Sequence, residues 1–349
     1  MSSRILLVRS DRIGDTLLTL PSVTALRHRF PDAFIAFLCQ PYTESMVRRI
    51  NGLDEVLIYD SNGKHQGWSG LKLLSDELKS YKFDKTVVFF PRPMLLWALW
   101  RAGIPTRIGT GYRWYSFLLT DRVMEHRSEC LKHEAEYNLN LLSPMLGNSI
   151  PTPRFDFCDD PELNLDWKKL LMQYGVSQNY AIVHAGSGKS APNLSLEQYR
   201  KLIDILLHKT RWQLVLTGSP VEAELNECLM EGLPRERAVN LSGKLNLVQL
   251  MESIRNARLM ITSSTGPLHL ADAQNTPVLG FYCPLPPHTP VRWGPYQQSK
   301  WVVMPELRSP ERCRMKKCPY GGCLKILDSR QIEEALEIRL ENLRQTTET

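Results

Sequence analysis

An aspartate follows a glycine at the point where the first apolar run of the chain gives way to a helical pattern. The run RILLVR covers residues 4–9, the polar break SDRIGD follows it, and Asp15 is the last residue of that break. A carboxylate in this place either caps the helix or faces a ligand, from which it can accept a proton. Asp15 is therefore the first candidate for chemistry, and both interpretations stay open on the pattern alone.

A second candidate is the glycine-containing stretch HAGSGKSAPNLS, which follows an apolar run at 180–185. Gly186 and Gly188 allow a close approach of the backbone to a ligand, and Ser187 and Lys189 can donate hydrogen bonds to phosphate oxygens. The G-x-x-x-x-G-K-[ST] spacing of a P-loop is absent. The stretch is either a ligand-binding loop or an ordinary turn.

The third candidate is ITSSTGPLHLADA, residues 261–273. An apolar strand ends in two serines, a Thr-Gly turn follows, and Pro267 stands where the first turn of a helix tolerates proline. The N–H groups of a helix N-terminus and its dipole attract anions such as a pyrophosphate. His269 falls in the same turn, where it bonds either a phosphate or the neighbouring backbone. The alternative is a helix that Ser264 or Thr265 merely caps.

The elements that position these residues follow from hydrophobic periodicity. Apolar runs of strand length alternate with amphipathic helical stretches, which is typical of parallel α/β units. The strands are predicted at 4–9, 34–39, 55–60, 85–90 and 106–108, and then at 180–185, 212–218, 238–243, 259–264 and 277–283. The first helix is predicted to bury Leu17, Leu18, Leu20, Val23, Leu26 and Phe30 and to end at Pro31.

Three prolines interrupt this pattern between Ser149 and Pro161, which indicates a domain boundary. We expect two Rossmann-like domains that face each other across a cleft, at 1–155 and 156–328. An amphipathic terminal helix is expected at 329–349. In open α/β sheets ligands bind at the carboxyl ends of the strands, where all three candidates lie.

Composition restricts the class of protein. The chain has 349 residues, 43% of them hydrophobic and 23% charged, which is ordinary for a globular protein. It lacks an apolar stretch long enough to span a bilayer and a secretion signal, so a cytoplasmic location is expected. The net charge of +6 suits anionic substrates or an anionic membrane face, and the scattered cations argue against nucleic acid.

Cysteine usage predicts reduced thiols rather than a metal site. The chain has eight cysteines, and only Cys313, Cys318 and Cys323 are clustered. Their spacing fits a zinc site poorly, so a loop with a structural role is favoured.

The opening RSDRIGDTLLTLP, the HAGS loop and SSTGPLHLA, in this order and spacing, resemble glycosyltransferase family 9, which includes the ADP-heptose:lipopolysaccharide heptosyltransferases. Further stretches that carry the resemblance are RIGTGYRWYSFLLTDRV (107–123), KHEAEYNLNLL (132–142) and RWGPY (292–296). The resemblance implies the GT-B fold, with an acceptor-binding N-terminal domain and a C-terminal domain for the nucleotide sugar. It also implies that the terminal helix at 329–349 crosses back to the first domain. It implies transfer from an ADP-sugar to a lipid-linked or surface-glycan acceptor such as the lipopolysaccharide core.

The resemblance also assigns roles to residues. It places the catalytic base of an inverting transfer on Asp15, which the helix dipole is expected to keep ionised. The donor contacts that it implies are Ser187, Gly188, Lys189, Ser264, Thr265, Gly266, Pro267, Leu268 and His269. The expected acceptor contacts are Arg12, Gly14, Arg92 and Arg113, since guanidinium groups suit carboxylates and phosphates. No metal and no cofactor is expected, and the D-x-D motif of metal-dependent sugar transferases is absent.

Two departures from the family pattern keep alternatives open. Ser264 stands where the family commonly has an aspartate, and Pro192 or Asn193 stands where many members have a cation. A nucleotide-sugar-binding protein without catalysis is one alternative, and a nucleotide-sugar epimerase of the same architecture is the other. Trp293 or Tyr296 is expected either to line the nucleotide pocket or to pack. The stretch at 94–103 is either a buried helix or a peripheral contact with the inner membrane.

Overall fold

The structure is a computed structural model that describes residues 2–147, 149–159, 161–188, 191–307, 318 and 322–347. The chain forms two compact units. The first comprises Met1–Arg127 and Lys132–Asp159, and the second comprises Ser128–Leu131 and Asp160–Thr349.

The first unit is built on six parallel strands in the spatial order β3-β2-β1-β4-β5-β6. Their bounds are β1 Arg4–Val8, β2 Phe34–Cys39, β3 Glu55–Ile58, β4 Lys85–Val88, β5 Thr106–Thr110 and β6 Asp121–Val123. Ile5 is paired with Ile35 on one side and with Lys85 on the other, so β1 is central. The strand order reverses between β1 and β4, where doubly wound sheets bind ligands.

The second unit repeats this topology. Its parallel strands lie in the order β12-β11-β10-β7-β8-β9. Their bounds are β7 Tyr180–His184, β8 Gln213–Leu216, β9 Ala238–Asn240, β10 Leu259–Ser263, β11 Val278–Phe281 and β12 Val302–Val303. The reversal of strand order falls between β7 and β10, the two strands that precede the second and third candidate motifs.

Helices connect the strands in both units. In the first they are α1 Ile13–Leu17, α2 Pro21–Arg29, α3 Glu44–Val47, α4 Gly67–Ser80, α5 Pro93–Arg101, α6 Glu134–Asn140 and α7 Ser143–Leu146. In the second they are α8 Pro161–Gln173, α9 Leu196–Lys209, α10 Ala223–Met230, α11 Leu247–Arg255, α12 Gly266–Ala273, α13 Pro290–Trp293 and α14 Ser329–Thr347. Short 3₁₀ helices include Trp114–Leu118 and Pro220–Glu222.

The central strands are buried on both faces because helices cover both sides of each sheet. Ile5, Leu6, Leu7 and Val8 of β1 are fully buried, which explains why the strand is a continuous apolar run rather than an alternating one. The ten strands predicted from such runs are all present. The edge strands β6 and β12 were not predicted, because strands of three residues (β6) and two residues (β12) are too short to give a recognisable apolar pattern.

The predicted first helix is two helices in the structure. Pro21 has no N–H group to continue a helical ladder, and it stands at the first position of α2. Between α1 and α2 the chain forms tight turns, closed by hydrogen bonds from Leu20 N to Leu17 O at 2.9 Å and from Ser22 N to Thr19 O at 3.0 Å. The predicted stripe is nevertheless buried from Leu17 to Leu26, and Phe30 is half-buried.

The last helix, α14, contributes Ile332, Leu336 and Leu340 to the core of the second unit, where it packs against α9. Cys323 is buried in the same core and Cys318 packs against it, while Cys313 lies outside the described residues. The predicted bounds of the domains and the predicted return of the terminal helix to the first domain stay predictions.

Candidate functional site

Asp15 lies in the first turn of α1, directly after the carboxyl end of β1. The residue in the N-cap position is Arg12, so the prediction that Asp15 caps this helix is wrong. The Asp15 carboxylate instead accepts a hydrogen bond from Arg9 Nη2 at 2.7 Å. Its side chain is 22% exposed, which leaves the carboxylate accessible to a ligand.

Arg9 is the centre of this cluster. It is 3% exposed, and it also donates to the Asp11 carboxylate from Nε at 2.6 Å and from Nη2 at 2.8 Å. Its Nη1 lies 3.9 Å from Oε1 of the buried Glu134 and 3.4 Å from Oδ1 of Asn138. One buried guanidinium therefore holds three carboxylates at the strand end.

Two members of the cluster come from α6, more than 110 residues further along the chain. Glu134 accepts a hydrogen bond from Arg127, and Asn138 donates to Leu18 O at 3.0 Å. No site residue was predicted in this stretch, KHEAEYNLNLL, although it carries part of the family resemblance. Glu134 and Asn138 are four residues apart and so share a helix face, but the polar residues His133, Glu136 and Asn140 beside them conceal this pattern in the sequence.

Burial dominates the electrostatics of Asp15. Burial raises the pKa of Asp15 to about 6, Arg9 and Arg12 oppose the rise, and Asp11 and Glu134 add to it. The expectation that Asp15 is ionised at neutral pH is compatible with a pKa of about 6, but burial, and not the dipole of the five-residue α1, sets the direction of the shift. Asp15 is thus a stronger base than the sequence implied, with a pKa close to neutral pH.

The arginines expected to contact an acceptor follow neighbouring strands. Arg12, Arg92 and Arg113 are exposed residues that directly precede helical segments after β1, β4 and β5. Because these three strands are adjacent, the structure places the arginines along one edge of the first sheet. Gly14 lies in α1, next to Asp15. Arg92 is positioned over the Phe90 ring, with 5.1 Å between the guanidinium carbon and the ring centroid.

In the second unit, the HAGS loop packs against a carboxylate that was not predicted from the sequence. A Cβ on Gly186 would lie 1.9 Å from Glu222 Oε1, so any larger residue there would push the Glu222 carboxylate aside. Gly188, whose φ is +51°, donates a hydrogen bond from its backbone N to Glu222 Oε1 at 3.4 Å. Ser219 N and Oγ hold Glu222 Oε2 at 2.8 and 2.9 Å. Hydrogen bonds from Ser219 outweigh burial and lower the pKa of Glu222, so the carboxylate is charged at neutral pH.

Asn193 holds the same loop in place. Its Nδ2 donates to Ala185 O at 2.5 Å, and its Oδ1 accepts from Ser263 Oγ at 2.6 Å and from Tyr199 Oη at 2.7 Å. These bonds connect the ends of β7 and β10, the strands on either side of the reversal. The Asn193 amide, at one of the two positions where the resemblance led us to expect a cation, therefore has a structural role. Lys189, the other candidate cation, lies outside the described residues.

The third motif forms the junction of β10 and α12. Thr265 is the N-cap, and its hydroxyl lies 3.1 Å from that of Thr262 instead of capping the helix. Gly266 and Pro267 begin α12, so the first N–H groups of an eight-residue helix lie at the strand end. Ser264 precedes the cap and is half-buried, and Leu268 is fully buried beneath the turn.

His269 is buried in the same turn, with its ring centroid 6.5 Å from that of Trp293. Trp293 in turn donates from Nε1 to Pro287 O at 2.9 Å, and its carbonyl accepts from Tyr282 Oη at 2.7 Å. Trp293 is therefore held by hydrogen bonds, and its ring lies near His269, one of the residues expected to contact the nucleotide sugar.

Asp272, at the other end of α12, fixes the segment that follows Trp293. Its carboxylate accepts hydrogen bonds from the backbone N–H groups of Gln297 and Gln298 at 3.1 Å each. Burial raises the pKa of Asp272 to about 6, and these bonds oppose the rise. Asp272 belongs to the third motif, but the sequence pattern gave it no role.

Metal clusters and membrane spans are both absent from the part of the chain that the structure describes. No group of three His, Cys, Asp or Glu side chains in the described ranges is arranged to hold a metal ion. Across the same residues, no helix combines the length and apolar character needed to cross a membrane.

Two Rossmann-like units, each with candidate site residues at the carboxyl ends of its central strands, define a GT-B protein. Solved structures agree on this fold. A glycosyltransferase family 9 protein from Veillonella parvula matches with a TM-score of 0.83 at 22% identity over 98% of both chains. The Escherichia coli ADP-heptose lipopolysaccharide heptosyltransferase II matches with a TM-score of 0.77 at 18% identity, over 97% of this chain and 99% of that one.

The chain belongs to glycosyltransferase family 9. The model of that family, described as glycosyltransferase family 9 (heptosyltransferase), matches residues 74–324. A Haemophilus influenzae protein described only as a glycosyltransferase is 32% identical over 299 residues, which cover 84% of this chain and 86% of that protein. The resemblance inferred from the motifs is thus confirmed, and the protein is a glycosyltransferase.

Proposed function

We propose that this protein is an inverting, metal-independent glycosyltransferase that uses Asp15 as its general base. It moves a heptose or a related sugar from an ADP-linked donor to a lipopolysaccharide core or a similar surface-glycan acceptor. The family supports the reaction class, and the Escherichia coli structure carries ADP-heptose and lipopolysaccharide in its name. The observation that carries the proposal is the accessible Asp15 carboxylate, whose pKa lies near 6.

The chemistry requires one proton acceptor and one anion site. The acceptor hydroxyl gives its proton to Asp15 as its oxygen attacks the anomeric carbon. The bond from that carbon to the diphosphate oxygen breaks, and ADP leaves with the electron pair. Attack opposite the leaving group inverts the anomeric centre. A base with a pKa near the working pH combines a large ionised fraction with useful basicity, which the Asp15 environment supplies.

The donor groups in this proposal come from the second unit. The N–H groups at the start of α12, with Thr265, suit the charge that develops on the departing diphosphate. Ser187, Gly188 and Lys189 extend the donor set. Glu222 is an acceptor-only group when ionised and suits the hydroxyls of a ribose, as acidic residues do in other Rossmann-like sites.

The acceptor groups in this proposal come from the first unit. Arg12, Arg92 and Arg113 present exposed guanidinium groups from adjacent strand ends. Such groups bind carboxylates and phosphates through paired hydrogen bonds, and an inner-core glycan carries these anions. Arg92→Ala is accordingly expected to raise KM for the acceptor more than KM for the donor.

One experiment separates this function from the alternatives. Purified protein is incubated with ADP-, GDP- and UDP-sugars in EDTA, with and without a lipopolysaccharide-core acceptor, and nucleotide release and the sugar product are measured. The proposal expects release of ADP that depends on the acceptor and survives EDTA. An inactive binding protein would be stabilised thermally by a nucleotide sugar but release nothing. An epimerase would convert the sugar without acceptor.

A further inference from the structure

Three elements cover one face of the first sheet: α4, α5 and the 3₁₀ helix Trp114–Leu118. Their inward side chains share one apolar core with β1, β2 and β4. The inward residues include Leu71, Leu74 and Leu78 from α4, Leu95, Leu96 and Leu99 from α5, and Tyr115 and Leu118 from the 3₁₀ helix. Other side chains of these three elements are exposed on the opposite side.

The outward side chains are unusually aromatic. Trp68 of α4 is 59% exposed, Trp100 of α5 is 52% exposed, and Trp114 and Phe117 of the 3₁₀ helix are 79% and 64% exposed. We call these four residues the aromatic surface. Single exposed apolar residues are normal, but four large aromatic side chains on adjoining elements mark an interaction site.

The aromatic surface is mounted on a well-packed support. The Trp68 ring meets the edge of the half-buried Trp97 ring at 5.1 Å, which connects α4 to α5. Arg101 of α5 bonds Asp76 of α4 at 2.6 Å. Tyr115 donates to Pro91 O at 2.9 Å and so fixes the 3₁₀ helix beside the start of α5. The exposed rings are therefore presented by fixed elements.

The charge around these rings is positive. Residues 85–120 contain five Lys or Arg residues and not one Asp or Glu; of the five, Arg101 pairs with Asp76 of α4, whereas Arg92 and Arg113 are exposed. On α4, Lys72 is exposed, while Asp76 is neutralised by Arg101 and Glu77 pairs with Lys64 at 3.1 Å. A surface that joins aromatic rings to unbalanced cations is complementary to anionic lipid headgroups over hydrocarbon.

We propose that the aromatic surface docks on an anionic lipid bilayer. Tryptophan is the side chain that prefers the boundary between headgroups and hydrocarbon, since its ring is apolar and its N–H is polar. The contact is peripheral, because Leu95, Leu96, Ala98 and Leu99 of α5 are fully buried within the protein. In this proposal the stretch 94–103 is both things that the sequence allowed: its inner face is a buried helix, and its outer face contacts the membrane. The surface supports the expected peripheral position at the inner membrane.

The docking surface continues into the candidate acceptor residues. Arg92 immediately precedes α5 and Arg113 immediately precedes the 3₁₀ helix, so both guanidinium groups adjoin elements of the aromatic surface. A lipid-linked acceptor that is anchored in the same bilayer would present its anionic core there. This last step rests on the proposed function, whereas docking itself does not.

Vesicle sedimentation tests the proposal without any donor or acceptor. The full-length protein is mixed with phosphatidylcholine vesicles that contain or lack 30% phosphatidylglycerol, and the sedimented fraction is measured. We expect binding to the anionic vesicles only, with a blue shift of tryptophan emission. The triple variant Trp100→Ser, Trp114→Ser, Phe117→Ser should bind at least tenfold more weakly.

The matched control is Met172→Ser with Ile338→Ser, which removes exposed apolar side chains from the second unit and should leave binding unchanged. Thermal unfolding shows whether each variant is folded, and Trp100→Ser alone replaces a triple variant that is not. Equal binding by the wild type and the folded variant overturns the proposal, as does equal binding to both vesicle types or to neither. Failure of ADP to stabilise a vesicle-binding protein would count against the proposed function alone.

Discussion

Arg9 donates a hydrogen bond to Asp15 at 2.7 Å, yet the pKa of Asp15 lies near 6, above its ordinary value. Burial of the carboxyl group is the largest cause of the rise, and Arg9, which opposes it, also binds Asp11 and lies near Glu134, so one cation serves three carboxylates. Burial then determines the direction in which the pKa moves. The cluster holds Asp15 in place without suppressing its basicity.

Replacing Asp15 by Asn should reduce kcat by about 10²- to 10⁴-fold, since the acceptor hydroxyl loses its base. Donor binding should be unchanged, because the proposed donor groups belong to the second unit. Initial rates of ADP release and a thermal shift with ADP measure the two effects. Asp32→Asn, an exposed acid in the same unit, is the control. Turnover within about threefold of the wild type would refute the assignment.

As the pH is lowered, kcat/KM should decrease with a midpoint at about pH 6, because protonated Asp15 cannot accept a proton. We call this decrease the acid limb of the pH profile. The negative charge of Asp11 raises the pKa of Asp15, so Asp11→Asn should move this limb to lower pH. Rate profiles from pH 4.5 to 9 with identical substrates measure the difference, in which ionisation of the substrates cancels. A limb that stays in place in Asp11→Asn would contradict the coupling.

Ionised Asp15 should destabilise the fold. Its pKa is raised in the folded state, so the folded protein binds the proton more tightly than the unfolded chain does between about pH 4 and pH 6. As the pH rises through this range, the contribution of Asp15 to the free energy of unfolding therefore falls, by at most about 1.4 kcal/mol for each pH unit. Asp15→Asn removes this pH-dependent contribution.

Urea unfolding of both proteins at pH 4, 5, 6 and 7 tests this sign. Asp15→Asn should gain stability relative to the wild type as the pH rises from 4 to 6, and the difference should then stay constant. A stability difference that is independent of pH would show that Asp15 titrates normally.

Gly186→Ala should weaken donor binding through Glu222. The new Cβ would displace the Glu222 carboxylate from its bonds with Ser219, so Kd for ADP should rise about tenfold. Glu222→Ala should have a similar effect, and the double variant should add little to either, since both changes remove one interaction. Calorimetric titration with ADP gives all four values. Additive effects in the double variant would show that Gly186 acts independently of Glu222.

Asp272→Asn should destabilise the protein by about 1–3 kcal/mol, because an amide NH₂ group cannot accept the N–H groups of Gln297 and Gln298. The loosened segment adjoins Trp293, so KM for the donor should also rise. Urea unfolding and donor kinetics measure the two effects, and Asp204→Asn, an exposed acid of the second unit, serves as the control. Unchanged stability in Asp272→Asn would exclude the anchoring role.

The sequence by itself determined the strands, the class of fold and the candidate motifs. Periodicity and glycine-proline turns are local properties, and the ends of predicted strands show which residues share an edge of a parallel sheet. That is why the sequence predicts Asp15, the HAGS loop and the start of α12 as candidates. The break at Pro21 is also a local property, because proline cannot continue the hydrogen bonds of a helix.

Only the tertiary structure decided the electrostatics of the site. The groups that surround Asp15 come from Arg9, Asp11 and Glu134, and the last of these is separated from Asp15 by more than 110 residues. Gly186 likewise meets Glu222 only because β7 and β8 are neighbours. Burial and Coulomb interactions depend on distances in space, which spacing along the chain does not specify. For this reason the sequence predicted Asp15 as a candidate base, whereas the packing of α6 against α2 brings Glu134 to Arg9 and helps raise the pKa of Asp15.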